Sequence, residues 1–180
     1  MQVIKSSLIY LGSSVLNKAI PFLLLPILTK CLSPEEYGIL SIFQLLISFS
    51  IAFVGMAMQT NISKNFFNYT KKQTSLMIGN ILIVLSFTTL IYFIISLVLS
   101  FYYQEIFSVP SNWVIIIPVL SFMFMINTIN LTILRNEEKA VLFGIYEIAN
   151  TAVNMSVTIL LLLTYHYGWY SQALGITVAY

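Results

Sequence analysis

The strongest constraint on this chain is a series of apolar runs, each about as long as a bilayer crossing and parted by short polar stretches. They lie at Ser6 to Thr29, Gly38 to Met58, Ser75 to Phe101, Trp113 to Leu134 and Ala140 to Leu163. A helix of about 20 apolar residues covers a hydrocarbon core of about 30 Å while satisfying its own backbone hydrogen bonds. Charge is scarce enough to exclude a soluble domain: 8% of the 180 residues are charged and 59% are hydrophobic, against roughly a quarter charged in ordinary soluble proteins. A sixth run starts near Ser171 and has about ten residues before Tyr180, about 15 Å of helix or half a crossing. The expectation is an all-α integral membrane protein with about five and a half transmembrane helices. These would form most of one six-helix lobe, with residues 1–180 a single unit truncated within its sixth helix.

Basic residues set the expected orientation. Lys5, then Lys64, Lys71 and Lys72, then Arg135 and Lys139 fall on one side, and Lys30 stands on the other. Basic residues near span ends are retained in the cytoplasm, which predicts a cytoplasmic amino terminus. The opposite side carries Tyr102, Tyr103, Trp113, Tyr165, Tyr167, Trp169 and Tyr170, read as headgroup anchors. Ser33-Pro34-Glu35-Glu36 has the spacing of a reciprocal capping box at the start of the second helix. Gln59 to Thr74 reads as a short surface helix or loop at the inner interface, its lysines meeting lipid phosphates.

Polar residues inside the spans fall on faces. Glu147, Asn150, Thr151, Asn154 and Thr158 form one stripe at helical spacing in the fifth span. Tyr10, Ser14, Asn17 and Pro21 do the same in the first, and Ser41, Gln44, Ser48, Gly55 and Gln59 in the second. The milder row of Ser75, Gly79, Ser86, Thr89, Ser96 and Ser100 reads as helix packing.

Lys18 is the sharpest clue. It lies about 13 residues beyond Lys5 and about 11 before Thr29, so its side chain reaches neither surface comfortably. A basic residue at that depth costs about 2.5–3.5 kcal/mol unless it meets water, a counter-ion or an anionic ligand. An ion pair with Glu147 is one solution, across an axial offset of about 8 Å that helix tilt can close. Pro21 and Pro26, just above Lys18, predict a bend or hinge.

Several functions are set aside by what is missing. A net charge of +2 with scattered basic residues does not suit nucleic acid. No glycine cluster forms a phosphate loop, and His166 and Cys31 have no companions at metal-ligand spacing, so no cofactor is expected. An outer-leaflet glycosyltransferase using Glu35 or Glu36 as base is an alternative, although capping accounts for those carboxylates more cheaply. A noncatalytic membrane assembly subunit is another.

The first 60 residues carry a resemblance. Asn17-Lys18-Ala19-Ile20-Pro21, followed by Pro26-Ile27-Leu28-Thr29-Lys30-Cys31-Leu32-Ser33-Pro34-Glu35-Glu36-Tyr37-Gly38, resembles the amino-terminal signature of the Wzx-like polysaccharide biosynthesis flippases, which export O-antigen and capsule. These belong to the multidrug/oligosaccharidyl-lipid/polysaccharide exporter superfamily. The resemblance implies two six-helix lobes around a cavity that opens alternately inward and outward, in the bacterial inner (plasma) membrane. The implied cargo is a lipid-linked oligosaccharide, usually on undecaprenyl pyrophosphate, moved to the outer leaflet in surface polysaccharide and lipopolysaccharide biosynthesis. On that footing Lys18 attracts pyrophosphate or an acidic sugar, and Asn17, Gln44, Asn150 and Asn154 offer hydrogen bonds to hydroxyls. Glu147 balances Lys18 or takes part in ion coupling. The implied partners are membrane lipids, a second lobe or copy, and glycan assembly proteins.

Overall fold

A computed structural model describes residues 2–103, 105–106 and 108–180; the side chains of 2–6, 20, 21 and 105, Lys5 and Pro21 among them, lie outside the described residues. The elements run α1 (Gln2–Cys31), α2 (Pro34–Gly55), α3 (Met58–Asn65), α4 (Lys71–Tyr102), β1 (Glu105–Ile106), β2 (Val109–Pro110), α5 (Ser111–Asn136), α6 (Ala140–Thr164) and α7 (Tyr170–Ala179). Five of them, α1, α2, α4, α5 and α6, are long and apolar enough to cross a membrane. The protein is an all-α membrane protein. Large apolar side chains such as Phe22, Phe49, Ile83 and Phe87 stand exposed along these helices, as they do where lipid is the solvent. β1 and β2 pair antiparallel, Ile106 opposite Val109, in a short hairpin between α4 and α5.

The helices form two compact units. The first comprises Met1–Ser41 and Glu137–Tyr180. In it α1 and α6 run side by side in the same direction: Tyr10 meets Phe143 edge-on with ring centroids 5.1 Å apart, and Ile9 and Ser13 flank Gly144. The expected capping box opens α2. Ser33 N donates to Glu36 Oε2 at 2.9 Å, and Glu36 N donates to Ser33 Oγ at 3.2 Å. The same Glu36 carboxylate packs on Gly168, which turns the chain between α6 and α7 at φ +59°. Gly168→Ala therefore forces an L-residue into the left-handed region, at about 1–2 kcal/mol, and pushes a cap worth about 1 kcal/mol out of place. A drop in the thermal midpoint of the detergent-solubilised protein, matched by no drop for Gly12→Ala, checks this; Gly12 has open space around it.

The second unit is Ile42–Asn136. Its core holds Val54, Ile62, Ile81, Leu85, Met125 and Ile129. After Gly55, which sits against the Met125 side chain, Met56 and Ala57 adopt φ of 41° and 53°. Two successive left-handed residues cannot continue a right-handed helix, so the chain breaks there and restarts as α3. The second span therefore ends at Gly55, three residues before the expected Met58. The stretch expected as a surface helix or loop is divided as well. α3 is tied down by Ile62, whose side chain is fully buried, and α4 already begins at Lys71. A second capping box starts α4: Gln73 N donates to Thr70 Oγ1, and Thr70 N to Gln73 Oε1 at 2.9 Å.

Interhelical polar contacts in this unit are few and buried. Thr88 Oγ1 lies 3.1 Å from the Val54 carbonyl oxygen, one of the last carbonyls of α2, which lack helical donors. Ser121 Oγ donates to Ser50 Oγ at 2.7 Å, and Ser50 is also hydrogen-bonded to Tyr92, so one small network joins α2, α4 and α5. Ser86 and Thr89 bond back to the carbonyls of Leu82 and Leu85 on their own helix, the inexpensive way to carry a hydroxyl through lipid.

Trp169, one of the expected headgroup anchors, is a packing residue instead, whereas Trp113 is half-buried. Trp169 is 4% exposed, and Trp113 packs edge-on against Phe43 at 5.7 Å. Tyr102, Tyr103, Tyr165 and Tyr167 are exposed, the last two stacked on each other.

Candidate functional site

In the first unit, the contact of α1 with α6 places Asn17 against Thr151, whose hydroxyl donates to Asn17 Oδ1. Pairings of Tyr10 with Phe143 and of Asn17 with Thr151 fix the register of the two helices. Glu147 precedes Thr151 by one turn and so lies about 6 Å below it along the axis. It is half-buried, and its Oε2 is buried with no hydrogen-bond partner among the described residues. Lys18 follows Asn17 directly and is exposed, with no ion pair or hydrogen bond to any described residue. The ion pair with Glu147 is not formed: the parallel register leaves the two groups about a helical turn apart.

The single polar stripe on α6 is thus shared between two neighbours. Its lower part, Glu147 to Thr151, serves the contact with α1. Its upper part faces α7, where Thr158 Oγ1 donates to Asn154 Oδ1 at 3.3 Å and Gly175 lies against both residues. A Cβ placed on Gly175 would stand 2.8 Å from the Asn154 carbonyl oxygen, so this is a close backbone approach of the kind small residues permit. Asn150, within the lower part, is half-buried, with no side-chain hydrogen bond among the described residues.

Other predicted residues stand apart. Gln44 belongs to the second unit, where it is exposed and its backbone carbonyl accepts from Ser48 Oγ at 2.9 Å. α1 is one helical segment through positions 21 and 26; the Pro21 side chain lies outside the described residues and Pro26 is exposed. Among the described residues no three His, Cys, Asp or Glu side chains converge to hold a metal ion.

Comparison with known proteins places this arrangement in a family. The family model described as polysaccharide biosynthesis protein matches residues 3–180. The chain belongs to that family. Among curated relatives, a protein of the Lsg locus of Haemophilus influenzae is 38% identical over 79 residues, covering 44% of this chain and 20% of its own length. An uncharacterized membrane protein of the same organism is 35% identical over 78 residues, covering 43% of this chain and 19% of its own length. The chain thus matches about a fifth of the length of each of these relatives. No solved structure matches it.

Sequence reasoning missed two features of these units. Gly175 carries the α6–α7 contact, and its signal was a glycine inside an apolar run opposite a polar stripe. Asn80, about ten residues into α4, is an amide with no hydrogen-bond partner among the described residues. Its signal was a lone Asn in an otherwise apolar row.

Proposed function

We propose that this polysaccharide biosynthesis protein is part of a transporter, not an enzyme, that flips a lipid-linked oligosaccharide from the cytoplasmic to the outer leaflet of the bacterial inner membrane. Lys18 carries the proposal: an exposed ammonium deep in a membrane helix, unpaired by any described side chain. Its charge calls for water or an anion at that depth. The diphosphate of a polyprenyl-linked sugar, such as undecaprenyl pyrophosphate, supplies that anion at the head of a lipid already in the bilayer.

Asn17 fits the same task. Because Thr151 occupies its Oδ1, the Asn17 amide is held with its NH₂ donors left for a phosphate or sugar oxygen. Glu147, a turn away, supplies a competing negative charge in the empty state. In the proposed cycle a cytoplasmic amino terminus puts the basic connections on the loading side. The opposite wall of the passage comes from a second lobe or a second copy, and alternating access moves the cargo across.

The glycosyltransferase reading is left with Glu35 as its base, because Glu36 is engaged in its capping box and against Gly168. The test is surface polysaccharide made by cells carrying Lys18→Gln. Losing a charge-assisted hydrogen bond worth about 1.5–3 kcal/mol slows transfer about 10- to 150-fold, and Lys18→Arg retains most of the output. Normal polysaccharide from Lys18→Gln at normal protein level overturns the proposal. An assembly subunit would leave Lys18→Gln silent while deletion of the gene remains harmful.

A further inference from the structure

The second unit carries an open groove of about 610 Å³ between α3 and the first turns of α4. Its polar wall is Asn61, Tyr69, Gln73 and Asn80, and its floor is Met58, Leu76, Met77, Ile81 and Val84. The break at Met56 and Ala57 and the burial of Ile62 hold α3 in place beside α4, so the groove is built by the fold rather than by loose side chains.

Two observations say what chemistry it takes. Two of the three amides on its wall, Gln73 and Asn61, use their side-chain oxygens internally. Gln73 Oε1 accepts from Thr70 N in the capping box, and Asn61 Oδ1 accepts from Asn65 Nδ2. Each of these two keeps its NH₂ donors for a ligand, and Tyr69 lines the same groove. A wall of donors selects a ligand rich in acceptor oxygens. The second observation is charge. Lys64, Lys71 and Lys72 are exposed on the elements that form the groove, unpaired among the described residues, and no acidic residue occurs between Ile42 and Tyr103. Their counter-charge must come from outside this stretch of chain.

Geometry then selects a lipid over a free phosphate. From Lys71 the groove runs up α4 past Gln73, about 3 Å along the axis, and Leu76, about 8 Å, to Val84 at about 20 Å. The groove therefore begins at the end of a membrane span and continues into the depth of the hydrocarbon, changing from basic to amide to apolar on the way. A glycerophospholipid has the same order: a phosphate, then ester carbonyls, then acyl chains. Gln73, whose Oε1 is taken by the capping box, lies one step beyond the lysines, at the level where those esters need a donor.

We infer that the α3–α4 groove is a seat for an anionic glycerophospholipid, such as phosphatidylglycerol, with its phosphate at Lys64, Lys71 and Lys72 and its acyl chains along Leu76, Ile81 and Val84. This site lies entirely in the second unit and does not depend on the transport reading, whose charged residue belongs to the first.

The test is the lipid retained by the full-length protein after extraction from vesicles of equal phosphatidylglycerol and phosphatidylcholine. Phosphatidylglycerol is expected to be enriched several-fold, and the enrichment to fall to about one when Lys64, Lys71 and Lys72 are all changed to Gln. Changing all three to Arg keeps the enrichment, and raising the salt concentration weakens it. Should the triple Gln variant fail to fold, Lys64→Gln alone serves in its place and is expected to lower enrichment about twofold, since it removes one of the three charges. Equal retention of the two lipids, or undiminished enrichment in the folded variants, overturns the inference. So does displacement of phosphatidylglycerol by an added polyprenyl diphosphate, which would assign the groove to cargo.

Discussion

Gly175→Val is expected to destabilise the protein by about 3 kcal/mol or more, and Gly175→Ala by about 1–2 kcal/mol. Two effects oppose each other at this position. Replacing glycine by alanine inside a helix gains about 1 kcal/mol from reduced backbone entropy. Overpacking costs about 1–3 kcal/mol when the neighbour cannot move aside. Here the obstacle at 2.8 Å is the Asn154 carbonyl, a backbone atom of α6, with the Asn154 and Thr158 side chains beside it. Rotating a side chain clears neither the carbonyl nor the Asn154–Thr158 hydrogen bond, so α7 must move away from α6. Gly79→Ala in α4 is the control, since nothing lies within 4 Å of the new methyl; it should be neutral or mildly stabilising. Thermal midpoints of the three variants in one detergent decide the matter. A Gly175→Val protein as stable as the parent would show that α6 and α7 do not approach as closely as described.

Much of the fold was legible because lipid imposes a simple rule on sequence. Long apolar runs marked all five spans, and the boundaries found at Ala140 and near Asn136 follow the charged turn that separates them. Ser33 and Glu36 announced their capping box by spacing alone. Thr70 and Gln73 have the same spacing, yet Lys71 and Lys72 drew that stretch into the interface. Counting charge concealed a helix start. The break after Gly55 was not legible, because neither Met56 nor Ala57 is a residue that favours positive φ; tertiary packing around Ile62 and Met125 overrides their preference.

The site was legible to a lesser degree. A stripe at helical spacing shows that Glu147, Asn150, Thr151, Asn154 and Thr158 share a face, and they do. Spacing cannot show that two different helices divide that face, since the partner depends on how α1 and α7 meet α6. Trp169 illustrates the same limit. At the end of a span, an aromatic ring suits a headgroup and a helix junction equally well, and here its burial decides for the junction.

The account rests on Lys18 standing in a wet passage instead of in lipid, and thiol accessibility measures that directly. In a background where the exposed Cys31 is changed to Ser, Lys18→Cys is treated with a membrane-impermeant thiol reagent in oriented vesicles. Only a thiolate reacts, and a thiol in hydrocarbon does not ionise. The account predicts labelling at a rate approaching that of a cysteine in an aqueous loop. A site that stays unlabelled from both sides of the membrane, while the loop control reacts, would contradict it.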